Sequence, residues 1–232
     1  MRFVSVCVLC GVTGSFALAG PEWPEVGDAG SLPGSAQVVT GGGGSLTKIT
    51  GTLEGPPGLP GAGLGDFQDM YLIDIKDPFA FRASTLDDDG GFADFDAQLW
   101  LFYEDGRGLL GNQDATFGTT GALLLNQSND GSGEVLVMPG RYLIAITGAG
   151  SIPLGGPLSD PMFDFTLGAG EISGADGPGG GLNLINDWTV PGQFGSYEIA
   201  LEGVSTIIPA PASVVVLSGL GLLVGRRRGR LQ

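Results

Sequence analysis

Glycine and proline dominate this 232-residue chain, with 44 glycines and 15 prolines, about a quarter of all positions. Both residues destabilise helix interiors, glycine through its backbone entropy and proline through its missing N–H. A helical bundle is therefore excluded. Because 42% of the residues are hydrophobic, the chain is also too apolar to be disordered. The glycines are expected in turns between packed strands, which predicts an all-β fold.

The chain contains no histidine. This excludes Ser–His and Cys–His nucleophile pairs, zinc held by histidine and haem with a histidine ligand. The two cysteines, Cys7 and Cys10, lie close to the N-terminus, so no disulfide or thiolate metal site is expected in the body. All 25 acidic side chains lie between Glu22 and Glu202, and their negative field disfavours nucleic-acid binding.

The N-terminal residues have the order of regions that is typical of a secretory signal. Arg2 provides the positive charge, an apolar stretch follows over residues 3–16, and Ala17-Leu18-Ala19 provides a small-x-small cleavage site. We therefore expect a signal peptide over residues 1–19, with Ala17 and Ala19 at the cleavage site, and an exported protein. A buried N-terminal helix is the alternative interpretation.

The C-terminal residues 205–232 contain three parts in a fixed order. These are Pro209-Ala210-Pro211, an almost wholly apolar run over 213–224, and the cluster Arg226, Arg227 and Arg228. The arrangement resembles the PEP-CTERM sorting signal of Gram-negative bacteria, with Ala210 where that family usually has glutamate. The resemblance implies processing by an exosortase-type membrane enzyme while a short C-terminal hydrophobic helix is transiently inserted in the inner membrane. It also implies delivery to the cell envelope, the outer surface or the extracellular matrix.

An ordinary membrane anchor is the alternative interpretation of the same tail. Its apolar run has about 12 residues, fewer than the roughly 20 that a membrane-spanning helix needs. The arginine cluster is expected to stay on the cytoplasmic side in either case.

The body of the chain shows strand patterns at short spacing. Residues 20–45 lack a sustained apolar period and end in Gly-Gly-Gly-Gly-Ser, which predicts a flexible leader. Period-two alternation then predicts strands over 70–75, 79–84 and 196–202. In the first of these strands, Tyr71, Ile73 and Ile75 are expected on one face.

Further segments complete the predicted sheet. Residues 98–103 are apolar on both faces, which predicts a central strand covered on two sides. Residues 134–138 and 141–147 predict a hairpin that directs Tyr142, Ile144 and Ile146 into the same core as Tyr71. A strand over 162–167 and a glycine-rich loop over 174–181 are also expected. The prediction is a single antiparallel β-sandwich, jelly-roll-like, over residues 46–204 with glycine-rich loops.

Seven short segments in this body resemble, in order, the bacterial prepeptidase C-terminal domains. They are Gly-Thr-Leu at 51–53, Asp-Met-Tyr-Leu-Ile at 69–73, Phe-Arg-Ala-Ser-Thr at 81–85, Asp-Ala-Gln-Leu-Trp-Leu-Phe at 96–102, Gly-Asn-Gln-Asp-Ala at 111–115, Met-Pro-Gly-Arg-Tyr at 138–142 and Gly-Ser-Tyr-Glu-Ile at 195–199. The long glycine-rich insertion after Gly148 departs from that family. The resemblance implies a small sandwich that serves as a binding or accessory module.

The acidic loop, residues 87–96, contains the candidate metal ligands Asp87, Asp89, Asp94 and Asp96. When the segment from Thr85 onward is aligned with an EF-hand loop, Asp87, Asp89 and Asp96 fall at positions three, five and twelve. Gly90 falls at position six. Oxygen ligands without histidine or cysteine favour calcium over zinc or copper. A solvated acidic loop that keeps strand edges from pairing is the alternative.

These observations predict a non-catalytic exported protein that binds extracellular polysaccharide or another envelope component. The alternative is a carbohydrate-binding or carbohydrate-active protein that uses surface carboxylates and Trp188, because paired carboxylates hydrolyse glycosidic bonds. Trp100 lies inside an apolar run and is expected in the core.

Overall fold

Two β-sheets pack face to face, and a glycine-rich layer covers the outer face of one of them. The computed structural model describes residues 21–59, 65–189 and 191–209. The predicted residues Ala17, Ala19, Ala210, Pro211, Arg226, Arg227 and Arg228 lie outside the described residues. Within the described ranges, no helix has the length and apolar character needed to cross a membrane.

Short strands make up most of the regular structure in these ranges. Two 3₁₀ helices occupy Pro78–Ala80 and Asp87–Asp89. The strands are β1 Glu22–Pro24, β2 Gln37–Val38, β3 Lys48–Leu53, β4 Gln68–Ile75, β5 Arg82–Ser84, β6 Phe92–Ala93, β7 Ala97–Tyr103, β8 Gly108–Asn112, β9 Leu123–Leu125, β10 Gly140–Gly148, β11 Pro153–Gly155, β12 Asp160–Pro161, β13 Ser173–Gly174, β14 Ile185–Trp188, β15 Gly195–Glu202 and β16 Val204–Ser205.

The strands form three sheets. The six-stranded sheet has the order β1-β3-β15-β5-β9, with β6 beside β15, and the seven-stranded sheet has the order β13-β8-β7-β10-β4-β16, with β2 beside β4. A three-stranded sheet has the order β12-β11-β14. The all-β, sandwich-like prediction is confirmed. The prediction of purely antiparallel pairing is wrong, because β1 pairs with β3 and β2 with β4 in parallel.

The main core lies between the two large sheets. Ile49 and Ile199 enter it from the six-stranded sheet, and Ile73 and Ile144 enter it from the seven-stranded sheet. The prediction that alternate residues of two strands share one core is confirmed, since all of them belong to this cluster: Tyr71, Ile73, Ile75, Tyr142, Ile144 and Ile146. These six side chains lie on the face of the seven-stranded sheet that packs against the six-stranded sheet, which explains why they recur at every second position.

A second apolar cluster lies on the opposite face of the seven-stranded sheet. Trp100 and Phe102 of β7 pack there against Phe163 and Trp188. This second layer confirms the prediction that residues 98–103 are covered on both faces. Close backbone packing in the layer requires glycine, because a Cβ at Gly179 would overlap the carbonyl oxygen of Asp160.

The prediction of a flexible leader over residues 20–45 is wrong for the described part of that segment. It contributes β1 and β2 to the two large sheets, and Ala29 and Val39 are completely buried. These strands have two or three residues each, too few to show a period in the sequence. Backbone pairing with β3 and β4, rather than local propensity, orders them.

The predicted hairpin and one predicted strand are also wrong. Residues 134–138 form no strand, and β10 instead lies between β4 and β7. The segment 162–167 is not a strand, although Met162 and Phe163 are buried in the second cluster. Only some of their apolar side chains are buried: Leu136 lies in the main core, whereas Val137 and Met138 are exposed. Burial of such side chains without backbone pairing produces a composition similar to that of a strand.

Candidate functional site

An acidic pocket of about 580 Å³ lies where the segment after β1 meets β3 and β15. Its lining includes Phe92, Tyr197 and five acidic side chains, which are Glu25, Asp28, Glu54, Asp66 and Glu198. Asp69 of β4 lies next to it, within reach of Glu25 and Asp28.

The parallel pairing of β1 with β3 positions Glu25. Its backbone N–H donates to the carbonyl of Thr50 at 2.8 Å, which continues the ladder one residue beyond β1. The side chain then folds back, so that Oε1 accepts from the Ala29 N–H at 2.9 Å and Oε2 from the Thr52 N–H at 3.0 Å. Two backbone donors therefore hold the carboxylate in one orientation.

The turn that follows presents Asp28. Gly27 has a φ of 70°, and the Oδ1 atom of Asp28 accepts from the Gly30 N–H at 2.7 Å. Asp28 stays exposed, whereas Ala29 beside it is buried. The turn is thus anchored in the core on one side and offers a carboxylate to solvent on the other.

Close approach between strands requires glycine at position 51. A Cβ on Gly51 would lie 2.8 Å from Oε2 of Glu25 and closer still to the hydroxyl of Tyr197. Gly51 and Tyr197 are paired in register between β3 and β15. The missing side chain leaves the space in which the Tyr197 hydroxyl and the Glu25 carboxylate lie side by side.

Asp69 lies at the buried end of this arrangement, with no exposed surface. Its Oδ2 accepts from the Tyr197 hydroxyl at 2.5 Å, and that hydroxyl lies 2.5 Å from the hydroxyl of Tyr71. Its Oδ1 is buried and has no hydrogen-bond partner among the described residues. A buried carboxylate oxygen without a partner is unusual and destabilising.

Burial and mutual repulsion raise the pKa values of these carboxyl groups. Loss of hydration is the largest cause, and it raises the pKa of Glu25 to about 7 and that of Asp66 to about 6. Hydrogen bonds from Thr52 and Ala29 oppose the shift at Glu25. Burial, and then the charges of Glu25 and Asp66, raise the pKa of Asp69 well above its usual value.

Three of the carboxylates are close enough to share one cation. One oxygen each of Glu25, Asp28 and Asp69 lies within 4.8 Å of the others, and among the described residues no other group of three acidic, histidine or cysteine side chains does so. Carboxylate oxygens are ligands for hard cations such as calcium and magnesium. These three residues are therefore the ones that can hold a metal here.

The structure does not bring the four aspartates of the acidic loop together in this way. Asp87 and Asp89 lie in a 3₁₀ helix, and the carboxylate of Asp89 pairs with Arg82 and accepts from the Ser84 hydroxyl. Partial burial acts in the opposite direction, but these hydrogen bonds lower the pKa of Asp89. An arginine thus takes the role that the EF-hand alignment assigned to a metal.

The second half of the acidic loop belongs to the sheet. Phe92 and Ala93 form β6, and the N–H of Asp94 donates to the carbonyl of Ser196. Asp96 is half-buried, and burial, with the charge of Asp114, raises its pKa. Asp94 and Asp96 therefore lie in the short bend that connects β6 to β7.

Trp188, the predicted sugar-stacking side chain, is 7% exposed. Its ring packs edge-on against Trp100 and Phe102, and its Nε1 donates to the carbonyl of Ser31 at 2.7 Å. The prediction of a surface platform at Trp188 is wrong. The aromatic side chain that the acidic pocket does expose is Phe92, at 39%.

Sequence reasoning missed Glu25, Asp28 and Asp69. One signal was present: Asp69 stands two residues before Tyr71, so the alternation that buries Tyr71, Ile73 and Ile75 also places Asp69 on the buried face. A carboxylate on an apolar face requires a partner. The sequence contained no comparable indication for Glu25 and Asp28, because their segment shows no alternation of apolar residues that would assign them to a buried face.

No known family model, curated protein or solved structure matches this chain.

Proposed function

We propose that this chain is an exported, non-catalytic binding protein that acts at the cell surface or in the extracellular matrix. The proposal of export rests on the signal pattern of residues 1–19. The proposal of surface delivery rests on the sorting pattern from Pro209 to Arg228, which an exosortase-type enzyme would process. The jelly-roll-like domain, similar to prepeptidase C-terminal domains, would be the binding module.

The acidic pocket is the observation that favours binding. It combines the exposed ring of Phe92 with the hydroxyl-bearing residues Thr50, Thr52 and Ser196 and the carboxylate of Glu198. Ligand sites commonly pair an apolar surface with a few oriented polar groups. Carboxylates accept hydrogen bonds from sugar hydroxyls, and side-chain hydroxyls both accept hydrogen bonds from them and donate to them. A hydroxyl-rich extracellular polysaccharide or envelope component is therefore the ligand class that we propose.

A carbohydrate-active enzyme is the second candidate, because the pKa of Glu25 lies near 7, where a general acid works best. Two contacts argue against that role. Backbone N–H groups donate to both oxygens of Glu25 and favour its ionised form, and Asp69, the buried carboxylate of the cluster, has no exposed surface with which to reach a sugar. Glycoside hydrolysis requires two carboxyl groups that both reach the scissile bond.

Binding of the full-length protein to extracellular polysaccharide from the cells that produce it tests the proposal. Phe92→Ala is expected to weaken binding by about tenfold, the equivalent of about 1.4 kcal/mol. The matched control is Phe117→Ala, because Phe117 is 96% exposed and does not line the acidic pocket.

Equal binding by wild type and Phe92→Ala, or no binding by either, would contradict the proposal. Release of reducing sugar ends during the same incubation would instead support the enzymatic candidate. A circular dichroism spectrum of each variant confirms that the sheets have formed.

A further inference from the structure

Three carboxylates from two separated parts of the chain meet at the edge of the acidic pocket. Glu25 and Asp28 come from the turn after β1, and Asp69 comes from β4. One oxygen of each lies within 4.8 Å of the others. Two oxygens that bind one calcium ion at 2.3–2.6 Å are at most about 4.6–5.2 Å apart. The spacing therefore fits a shared ion, whereas three ionised groups alone repel one another.

The unpaired oxygen of Asp69 is a second, independent observation. Tyr197 satisfies Oδ2, but Oδ1 is buried and has no hydrogen-bond partner among the described residues. Buried polar atoms without a protein partner are rare in folded proteins, and a bound ion is one established explanation. A cation ligated by Oδ1 would satisfy this atom and connect it to the exposed carboxylate of Asp28.

The basic side chains of the described residues pair with other carboxylates. Five ion pairs are present: Lys48–Glu198, Lys76–Asp74, Arg82–Asp89, Arg107–Asp105 and Arg141–Glu104. None of these pairs includes a member of the three-carboxylate cluster. Within the described ranges, ionisation of the cluster is therefore not balanced by an ion pair with lysine or arginine.

We propose that Glu25, Asp28 and Asp69 bind one calcium ion. All three ligands are carboxylate oxygens, which suit hard cations rather than zinc or copper. Magnesium requires a near-ideal octahedron at 2.0–2.1 Å, whereas calcium accepts irregular ligand sets such as a turn combined with a strand. This site differs from the acidic loop, and it does not depend on the proposed polysaccharide binding.

Calorimetric titration of the chelator-treated, full-length protein with calcium chloride tests this proposal. Wild type is expected to bind one ion per chain. Asp28→Asn and Asp69→Asn are expected to weaken the affinity at least about tenfold, because a neutral amide replaces a charged ligand. The amide introduced at position 28 retains an oxygen for the Gly30 N–H, and the one at position 69 retains an oxygen for the Tyr197 hydroxyl. Both variants are therefore expected to fold.

The matched control is Asp94→Asn, an exposed aspartate of the acidic loop. Its calcium affinity is expected to equal that of wild type. Loss of affinity in Asp94→Asn but not in Asp28→Asn would overturn the proposal and favour the acidic loop. Absence of saturable binding to wild type would also overturn it.

Thermal unfolding provides an independent readout. Calcium at about a hundred times its dissociation constant is expected to raise the melting temperature of wild type by roughly 5–11 °C. Equal shifts from magnesium and calcium would indicate plain charge screening and would overturn the assignment. Since these measurements use the metal alone, a protein that binds calcium but no polysaccharide contradicts only the proposed function.

Discussion

The hydroxyl groups of Tyr71 and Tyr197 lie 2.5 Å apart and join the two large sheets across the main core. Tyr71 belongs to β4 and Tyr197 to β15. Because Tyr197 donates its one hydroxyl proton to Asp69, Tyr71 must donate to Tyr197. This chain of two hydroxyls ends on the buried carboxylate, so the packing of the sandwich and the geometry of the acidic pocket depend on each other.

Removal of the hydroxyl that contacts Asp69 is expected to be the more damaging change. Tyr197→Phe leaves both oxygens of Asp69 without a donor, and the free energy of unfolding is expected to fall by about 1–3 kcal/mol. Tyr71→Phe removes only the outer hydrogen bond and is expected to cost about 0.5–1.5 kcal/mol. Urea denaturation in chelator measures both, and a larger loss in Tyr71→Phe would contradict this hydrogen-bond order.

A methyl group at position 51 is expected to disturb the acidic pocket directly. Gly51→Ala places a Cβ against the Tyr197 hydroxyl and 2.8 Å from Glu25 Oε2, so one of the two must move. We expect a loss of about 1–3 kcal/mol in the free energy of unfolding. Gly42→Ala, where no atom lies within 4 Å of the added Cβ, is the control and is expected to stay within about 0.5 kcal/mol of wild type.

The centre of the main core is expected to be sensitive to truncation. Ile144 is fully buried on β10, between Tyr71 of β4 and Leu101 of β7. Ile144→Ala is expected to cost about 2–5 kcal/mol, through lost burial and the cavity that remains. Val137→Ala, at a side chain that is 52% exposed, serves as the control. A loss below about 0.5 kcal/mol at Ile144 would contradict the assigned core.

The acidic pocket is expected to make stability depend on pH when calcium is removed by chelator. The folded pKa values of Glu25, about 7, and Asp66, about 6, exceed the usual values of 4.5 and 3.8. The folded state therefore binds more protons, and the free energy of unfolding falls as the pH rises from about 4 to about 7. The free energy of unfolding changes by at most about 1.4 kcal/mol per pH unit for each proton. The change at Glu25 is smaller, because solvent screens this half-buried group.

Glu25→Gln tests whether Glu25, rather than the other acidic residues, causes this pH dependence of stability. It is expected to remove a large part of the decline between pH 5 and pH 7, because the group that titrates there is gone. Glu22→Gln, at an exposed position three residues earlier, is the control. Stability that rises over this pH range in wild type would show that the carboxyl groups are not shifted upward.

Processing at both ends is expected if the export proposal is correct. Intact mass spectrometry of protein from the envelope is expected to show loss of residues 1–19, after Ala19. It is also expected to show loss of the tail that follows Pro209-Ala210-Pro211. Full-length protein outside the cytoplasm, still carrying Arg226, Arg227 and Arg228, would contradict sorting by an exosortase-type enzyme.

Local sequence patterns were sufficient to establish the fold class and several strands of this protein. The glycine density indicated an all-β chain, and alternation located β4 and β15 with the correct faces. Residues 98–103, apolar throughout, correctly indicated a strand covered on both sides. These features are local, because a strand with one or two buried faces must carry the matching period in its own residues.

The position of the acidic pocket, by contrast, follows from tertiary pairing alone. Glu25 and Asp69 are more than forty positions apart, and the parallel pairing of β1 with β3 holds the segment after β1, which contacts the start of β4. Strands of two or three residues are too short to show a hydrophobic period in the sequence. Backbone pairing with a neighbouring strand therefore determines where they form. The sequence of the acidic loop, by contrast, resembled a metal-binding loop. In the structure, Asp89 of that loop forms an ion pair with Arg82. Charge density is a property of sequence, whereas coordination requires side chains that the fold brings together.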